Sequence, residues 1–151
     1  MAGTDGSFTP RPVWAQTSGQ LALGGAFDTW RAIPGTDLTL PEAGVYQLEA
    51  DVQGGVSGTG PITNVYVQAH LFDVTAGVEV PMTSRACFVF ADTSTEARGL
   101  TIHGTATCGA MYEVAGPTVV RVEAMKHIDA GTVGGEVAFC LNFRTRKVSD
   151  R

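Results

Sequence analysis

The chain has 151 residues, enough for one domain with a single core, and a formal net charge of −5. Hydrophobic residues make up 44% and charged residues 17%, a balance that excludes a disordered, charge-rich segment. The region from Met1 to Phe143 holds 6 basic and 14 acidic residues, so the body lacks the basic field that general nucleic-acid binding needs.

Taken in order, Met1 to Pro12 reads as an extended arm. Gly3, Gly6, Pro10 and Pro12 break regular structure, and Phe8 is its one apolar anchor. No apolar core segment of a signal peptide is present there, which predicts synthesis and folding in a cytoplasm with reduced thiols. Val13 to Gln16 reads as a short strand carrying Trp14, and Gln20 to Leu23 as a second scrap closed by Gly24-Gly25. Phe27 to Ile33 alternates and is expected to be a strand ending at the Pro34-Gly35 turn.

Leu38 to Gln53 carries the clearest pattern. After Leu38-Thr39-Leu40 and the Pro41 to Gly44 turn, Tyr46, Leu48, Ala50 and Val52 fall on one face and Gln47, Glu49, Asp51 and Gln53 on the other. Eight residues at a period of two indicate a half-buried antiparallel strand. The glycine-rich stretch Gly54 to Pro61 is expected to be a flexible loop. Asn64 to Val74 is a long strand with Val65, Val67, Ala69 and Leu71 inward. Val78 to Met82, interrupted by Pro81, suits a sheet edge. Arg85 to Ala91 is nearly all apolar and is expected to be covered on both sides. Asp92 to Arg98 is polar, with room for one helical turn.

Leu100, Ile102, Gly104, Ala106 and Cys108 alternate inward against Thr101, His103, Thr105 and Thr107. Thr118 to His127 is a strand with Val120, Val122 and Ala124 on one face, and Ile128 to Gly135 is a loop. Glu136 to Arg144 closes the domain with Val137, Phe139, Leu141 and Phe143 inward. The whole is all-β, roughly eight to ten strands with no substantial helix, in an antiparallel sandwich or barrel. The folded domain is expected over 13–144, between the arm at 1–12 and a basic C-terminal tail at 145–151. No apolar run reaches the roughly 20 residues that a membrane-crossing helix needs.

Candidate chemistry is sparse. His70, His103 and His127 sit in separate strands without HxH or HExxH spacing, so no metal is predicted and they read as surface or edge residues. Glu49 and Asp51 form an i, i+2 carboxylate pair on an outer strand face, suited in principle to cation binding or acid–base work but better explained as a solvated face. Gly54 to Pro61 has the composition of a phosphate cradle without GxGxxG, a lysine or a following helix. Cys87, Cys108 and Cys140 are too far apart for a CxxC site; three thiols, or one disulfide and one thiol, both fit, and Cys108 continues an inward face. Trp14, Trp30, Tyr46, Tyr66 and Tyr112 could stack sugars or pack the core. No catalytic residue and no cofactor is predicted.

Leu40-Pro41-Glu42-Ala43-Gly44-Val45-Tyr46-Gln47-Leu48 resembles the P-x-x-G-x-Y-x-hydrophobic strand entry of C1q/TNF-like jelly rolls. Val114 to Val122 is similar to that family's late turn and strand, with Pro117 where the family has aspartate. Phe139 to Phe143 resembles its closing apolar strand, which lies near a trimer axis. The resemblance covers Trp14 to Arg144. It implies a jelly roll of trimeric habit with no active-site residues to carry over, and compact versions without a stalk look like stand-alone virion proteins of tailed bacteriophages. The resulting expectation is a trimeric capsid-decoration protein on the head surface of the virion. Its partners would be two further copies and the major capsid protein, and neither nucleic acid nor membrane. Phe8, Arg11, Trp14, Arg146 and Lys147 are candidate partner contacts, and Phe139, Leu141 and Phe143 candidate trimer packing. Alternatives are a tail-tip or fibre module binding a host glycan through the Trp and Tyr aromatics and the Gly54 to Pro61 loop, and a small cupin-like enzyme if the histidines converge.

Overall fold

In a computed structural model that describes residues 14–92 and 98–150, the chain forms nine strands and, among the described residues, no helix. They are β1 (Ala15–Ala22), β2 (Arg31–Ala32), β3 (Leu38–Leu40), β4 (Gly44–Asp73), β5 (Val78–Glu79), β6 (Arg85–Asp92), β7 (Gly99–Val114), β8 (Thr118–His127) and β9 (Ala130–Ser149). Every pairing is antiparallel. One sheet runs β1, β9, β4, β7. The other runs from β2 and β3 to β8, then β4, then β6, with β5 also on β4. Two four-row antiparallel sheets wound in this order are a jelly-roll sandwich.

The 30-residue β4 belongs to both sheets. Its first arm, to Thr59, lies between β7 and β9; its second arm, from Ile62, lies between β6 and β8. Gly60 and Pro61 sit at the corner, where a strand that changes sheets must bend. The expected loop at Gly54 to Pro61 is therefore strand. Gly54, Val56, Gly58 and Gly60 continue the core-facing side of Tyr46, Leu48, Ala50 and Val52. Close neighbours keep side chains out of the glycine positions: a Cβ at Gly54 would lie 2.7 Å from Val67 of the second arm, and one at Gly58 would lie 2.6 Å from the Thr132 carbonyl of β9.

Side chains of the two arms of β4, with Val120, Val122, Ala124, Leu40, Ile33 and Phe143, make a core from which water is excluded. Leu48, Val52, Val67 and Leu71 are all within 1% of complete burial, a site at which losing a Leu side chain costs about 2–5 kcal/mol. The turn before β4 has a packing reason. Gly44 has φ +150°, and a Cβ there would lie 2.4 Å from the Lys147 side chain and 2.8 Å from the Ser149 carbonyl.

Several expectations need correction. The two short strands expected near Trp14 and at Gln20 to Leu23 are, where described, one strand, β1 (Ala15–Ala22), with a register shift between Thr17 and Gly19. Of Phe27 to Ile33 only Arg31–Ala32 is strand, and the segment before it crosses the outside of the second sheet. β6 is not covered on both sides: among the described residues it pairs only with β4, at the sheet edge, and Val89 is 64% exposed. The loop predicted at Ile128 to Gly135 is mostly strand, since β9 begins at Ala130 and pairs with the far end of the first arm. The basic tail is strand to Ser149, so the domain boundary at residue 144 is too early.

β9 also corrects the inward face. Val52 pairs with Cys140 and Asp51 with Asn142, so Leu141 is the extra residue of a β-bulge. The bulge switches the phase: Ala138 and Cys140 point inward before it, and Phe143, Thr145 and Lys147 after it. Of the four residues read as inward, Phe143 is. Val137 and Phe139 are half-buried on the outer face and Leu141 is 53% exposed.

Candidate functional site

The outer face of the first sheet has two halves of different character. At the end near Gly44, cross-strand pairs carry charge. Arg144 Nη2 donates to Glu49 Oε1 at 2.5 Å, and Arg146 Nε to Gln47 Oε1 at 2.9 Å. The two guanidiniums lie 4.8 and 4.6 Å from the Trp14 ring centre, a double cation–π contact. On the core-facing side of the same end, Lys147 is 9% exposed and donates to Glu42 at 3.0 Å and Asp150 at 2.5 Å. Asp51 accepts from Thr107 Oγ1 at 2.7 Å. Glu49 and Asp51 are thus bound to neighbours, not paired with each other.

The other half carries no formal charge. There a trough of about 280 Å³ is lined by Gln53 to Ser57, Thr101 to His103, Gly135, Val137 and Phe139. The register explains it. Gly55 stands between His103 of β7 and Val137 of β9, and with no side chain it leaves a notch in the row. Ser57 Oγ lies 3.4 Å from Thr101 Oγ1 at one end. One wall is hydroxyl and imidazole; the other is apolar. Leu141 stands beside this region on its bulge.

The outer face of the second sheet is built differently. His70 on β4 and Glu123 on β8 are register partners, and His70 Nε2 lies 3.0 Å from Glu123 Oε1. Arg121 grips the other oxygen of Glu123 through Nε at 2.9 Å and Nη2 at 2.5 Å. Trp30 stacks on the imidazole at 3.7 Å, leaving His70 3% exposed, so it is buried rather than a surface histidine. Its Nδ1 makes no hydrogen bond, and Glu79 Oε2 is 3.5 Å away. Two strand rows along, Tyr66 stacks on His127, whose nitrogens each approach an aspartate.

The three histidines are therefore not brought together. His70 and His127 have separate partners, and His103 is on the other sheet. Among the described residues, no group of three or more His, Cys, Asp or Glu could hold a metal ion. The three cysteines are free and buried. Burial pushes the Cys87 and Cys140 thiols up to about 11 and Cys108 up to about 12. Desolvation and the hydrogen bond to Asp73 raise the Tyr112 phenol to about 12. Phe8 and Arg11 lie outside the described residues.

Two known structures can be set beside this geometry. A chain in the structure of infectious bursal disease virus, Gx strain, superposes with a TM-score of 0.50 at 12% identity over 94% of this chain. The fold is shared. This chain spans about a third (34%) of that viral protein. Eiger TNF from S. frugiperda aligns over 92% of this chain and 94% of its own at 12% identity, with a TM-score of 0.40. Neither a protein-family model nor a curated protein sequence matches the chain.

Sequence reasoning missed the partners of the outward histidines. Glu123 and Arg121 are legible only once β8 is laid antiparallel to β4 in the correct register. It also missed Lys126 and Glu136, which make an enclosed ion pair at 2.9 Å beneath the Phe27 ring.

Proposed function

We propose that the chain is a structural virion protein of a tailed bacteriophage, a trimeric decoration protein of the capsid surface. The observation that carries this reading is the outer face of the first sheet. Its charge-free half, with Leu141 53% exposed beside Phe139, has the composition of an interface core, apolar and depleted of charge. The shared fold with a chain of a virus structure supports it. A face of this kind on each copy suits a cyclic trimer, in which packing covers what a monomer would leave to water. Phe139 and Leu141 remain the packing residues. Phe143 is fully buried in its own core and has no surface to offer a partner. Toward the major capsid protein, Trp14 and Arg146 offer the stacked basic end of the sheet, whereas Lys147 is already paired within the chain.

Light scattering on the purified protein at micromolar concentration tests the assembly; a mass three times the 15.8 kDa chain is expected, and a strict monomer overturns it. Labelling of purified phage particles with an antibody to the chain tests the location. Decorated heads are expected, and unlabelled particles remove the virion role.

The trough favours a second reading, a host-glycan module. A neutral sugar ring would find an apolar wall at Val137 and Phe139, and hydroxyl and imidazole groups at Ser57, Thr101 and His103. Of the aromatics first nominated for that task, Trp30 is engaged on His70 and Tyr66 on His127. Silence on a glycan array removes this reading.

A further inference from the structure

We infer that His127 is a proton-operated clasp holding the segment 24–30 against the outer face of the second sheet. The segment links β1 to β2 and is not strand. It is tied at its far end by Arg31, whose Nη1 donates to the carbonyls of Ala22 at 3.2 Å and Gly24 at 2.8 Å. In its middle, Asp28 takes a left-handed backbone, φ +54°, and its amide donates to the Lys126 carbonyl at 2.9 Å. That conformation aims the Asp28 carboxylate at His127.

The imidazole is set between two acids. Its Nδ1 lies 2.6 Å from Asp28 Oδ1, and its Nε2 lies 2.6 Å from Asp129 Oδ1. Asn64 Nδ2 donates to the second oxygen of Asp129 at 3.1 Å, which fixes that carboxylate. The Tyr66 ring stacks on the imidazole at 4.7 Å, which fixes its plane. The groups facing His127 are thus Asp28 from the segment, Asp129 from the turn after β8, and Tyr66 and Asn64 from β4. Lys126, next in the chain, points the other way onto Glu136 and Phe27.

Donor counting makes this a switch. A neutral imidazole has one N–H and one bare lone pair; only the cation donates from both nitrogens. With carboxylates on both sides, deprotonation turns one of the two hydrogen bonds into a lone-pair contact. The bond to Asp28, and then that to Asp129, raises the pKa of His127 above its ordinary 6.5. A raised value means the clasp contributes in full below the ordinary histidine range and is lost as pH climbs through the raised one.

What the segment covers gives the switch a consequence. Trp30 is the lid on His70, whose Nε2 lies 3.0 Å from Glu123, the carboxylate that Arg121 also holds. Acid keeps the lid shut, and alkaline conditions loosen it and let water reach the buried His70–Glu123 pair. The inference stands on the second sheet alone and is independent of the role proposed for the first.

The test is amide hydrogen exchange across residues 24–30, corrected for the intrinsic pH dependence and referenced to core amides of β4, with His127 followed by NMR. Protection of the segment is expected to fall several-fold through the His127 titration while the core stays protected. In His127→Ala the segment is expected to be open at every pH. Asp28→Asn keeps the imidazole and its second acid, and is expected to lower the His127 midpoint and weaken protection at acid pH. Protection that is flat through the His127 titration overturns the clasp. So does an unchanged midpoint in Asp28→Asn, which decides the matter should His127→Ala fail to fold.

Discussion

Gly54 on the first arm of β4 lies against Val67 on the second, so close that a Cβ at Gly54 would stand 2.7 Å from the Val67 Cβ and Cγ1. The neighbouring Gly55 faces the opposite way, and a Cβ there would have ordinary contacts of 3.6 Å or more. Adjacent glycines therefore carry opposite predictions. Gly54→Val is expected to destabilise the protein by about 1–3 kcal/mol or more, since it overpacks a closed core. Gly55→Val fills the outer trough and is expected to change stability by no more than about 0.5 kcal/mol. Urea unfolding of the two variants checks the contrast, and similar losses in both would contradict it.

The Lys126–Glu136 pair is enclosed, so its members depend on each other. Lys126→Met alone strands a buried carboxylate and is expected to cost about 3–5 kcal/mol. Adding Glu136→Leu to Lys126→Met is expected to recover most of that loss. A double-mutant cycle by thermal unfolding measures it, and additive single losses would show the pair to be uncoupled.

The buried thiols predict behaviour in alkali. Cys87, Cys108 and Cys140 rise from 9.0 to about 11, 12 and 11, and Tyr112 from 10.0 to about 12. Raised values favour the protonated forms in the folded state. The contribution is complete below pH 9 and is lost as pH rises through 11 to 12. At pH 8 the native thiols are expected to resist an aromatic disulfide reagent, and all three to react once urea unfolds the chain. Rapid modification of the native protein would show that the core opens.

If Leu141 packs at a subunit interface, a charge there will break the assembly and leave the fold intact. Leu141→Glu is expected to change the stability of the isolated domain by no more than about 0.5 kcal/mol, because the side chain is half in water. It is also expected to convert the trimer to monomer in light scattering. An unchanged trimer would move the interface to another face.

The fold was legible where side chains report their own environment. Tyr46, Leu48, Ala50 and Val52 announce a strand, and so do Val120, Val122 and Ala124. Legibility failed where glycine stood in for a core residue, as at Gly54 to Gly60, because an absent side chain looks the same in a loop and in a tight sandwich. It failed again at Leu141, where a one-residue bulge reverses the phase and apolar identity no longer tells inside from outside. The outer-face features were hidden for another reason. His70 meets Glu123 from 53 positions away, and the His127 ring reaches back 99 positions to Asp28. Register, not spacing, makes those contacts.

β4 pairs with five of the other strands, β5 to β9, and every one of them follows it in the chain. During synthesis its 30 residues are made before any of these partners, and its first arm lacks β9 until the end of the chain is complete. Long-range pairing of this sort makes for slow folding, on the order of milliseconds to seconds. A long unpaired strand is ordinarily an aggregation hazard. Here its middle is interrupted by Gly54, Gly55, Gly58, Gly60 and Pro61, residues of poor strand propensity that discourage premature association. The glycines that let the finished sandwich close so tightly thus also protect the nascent chain.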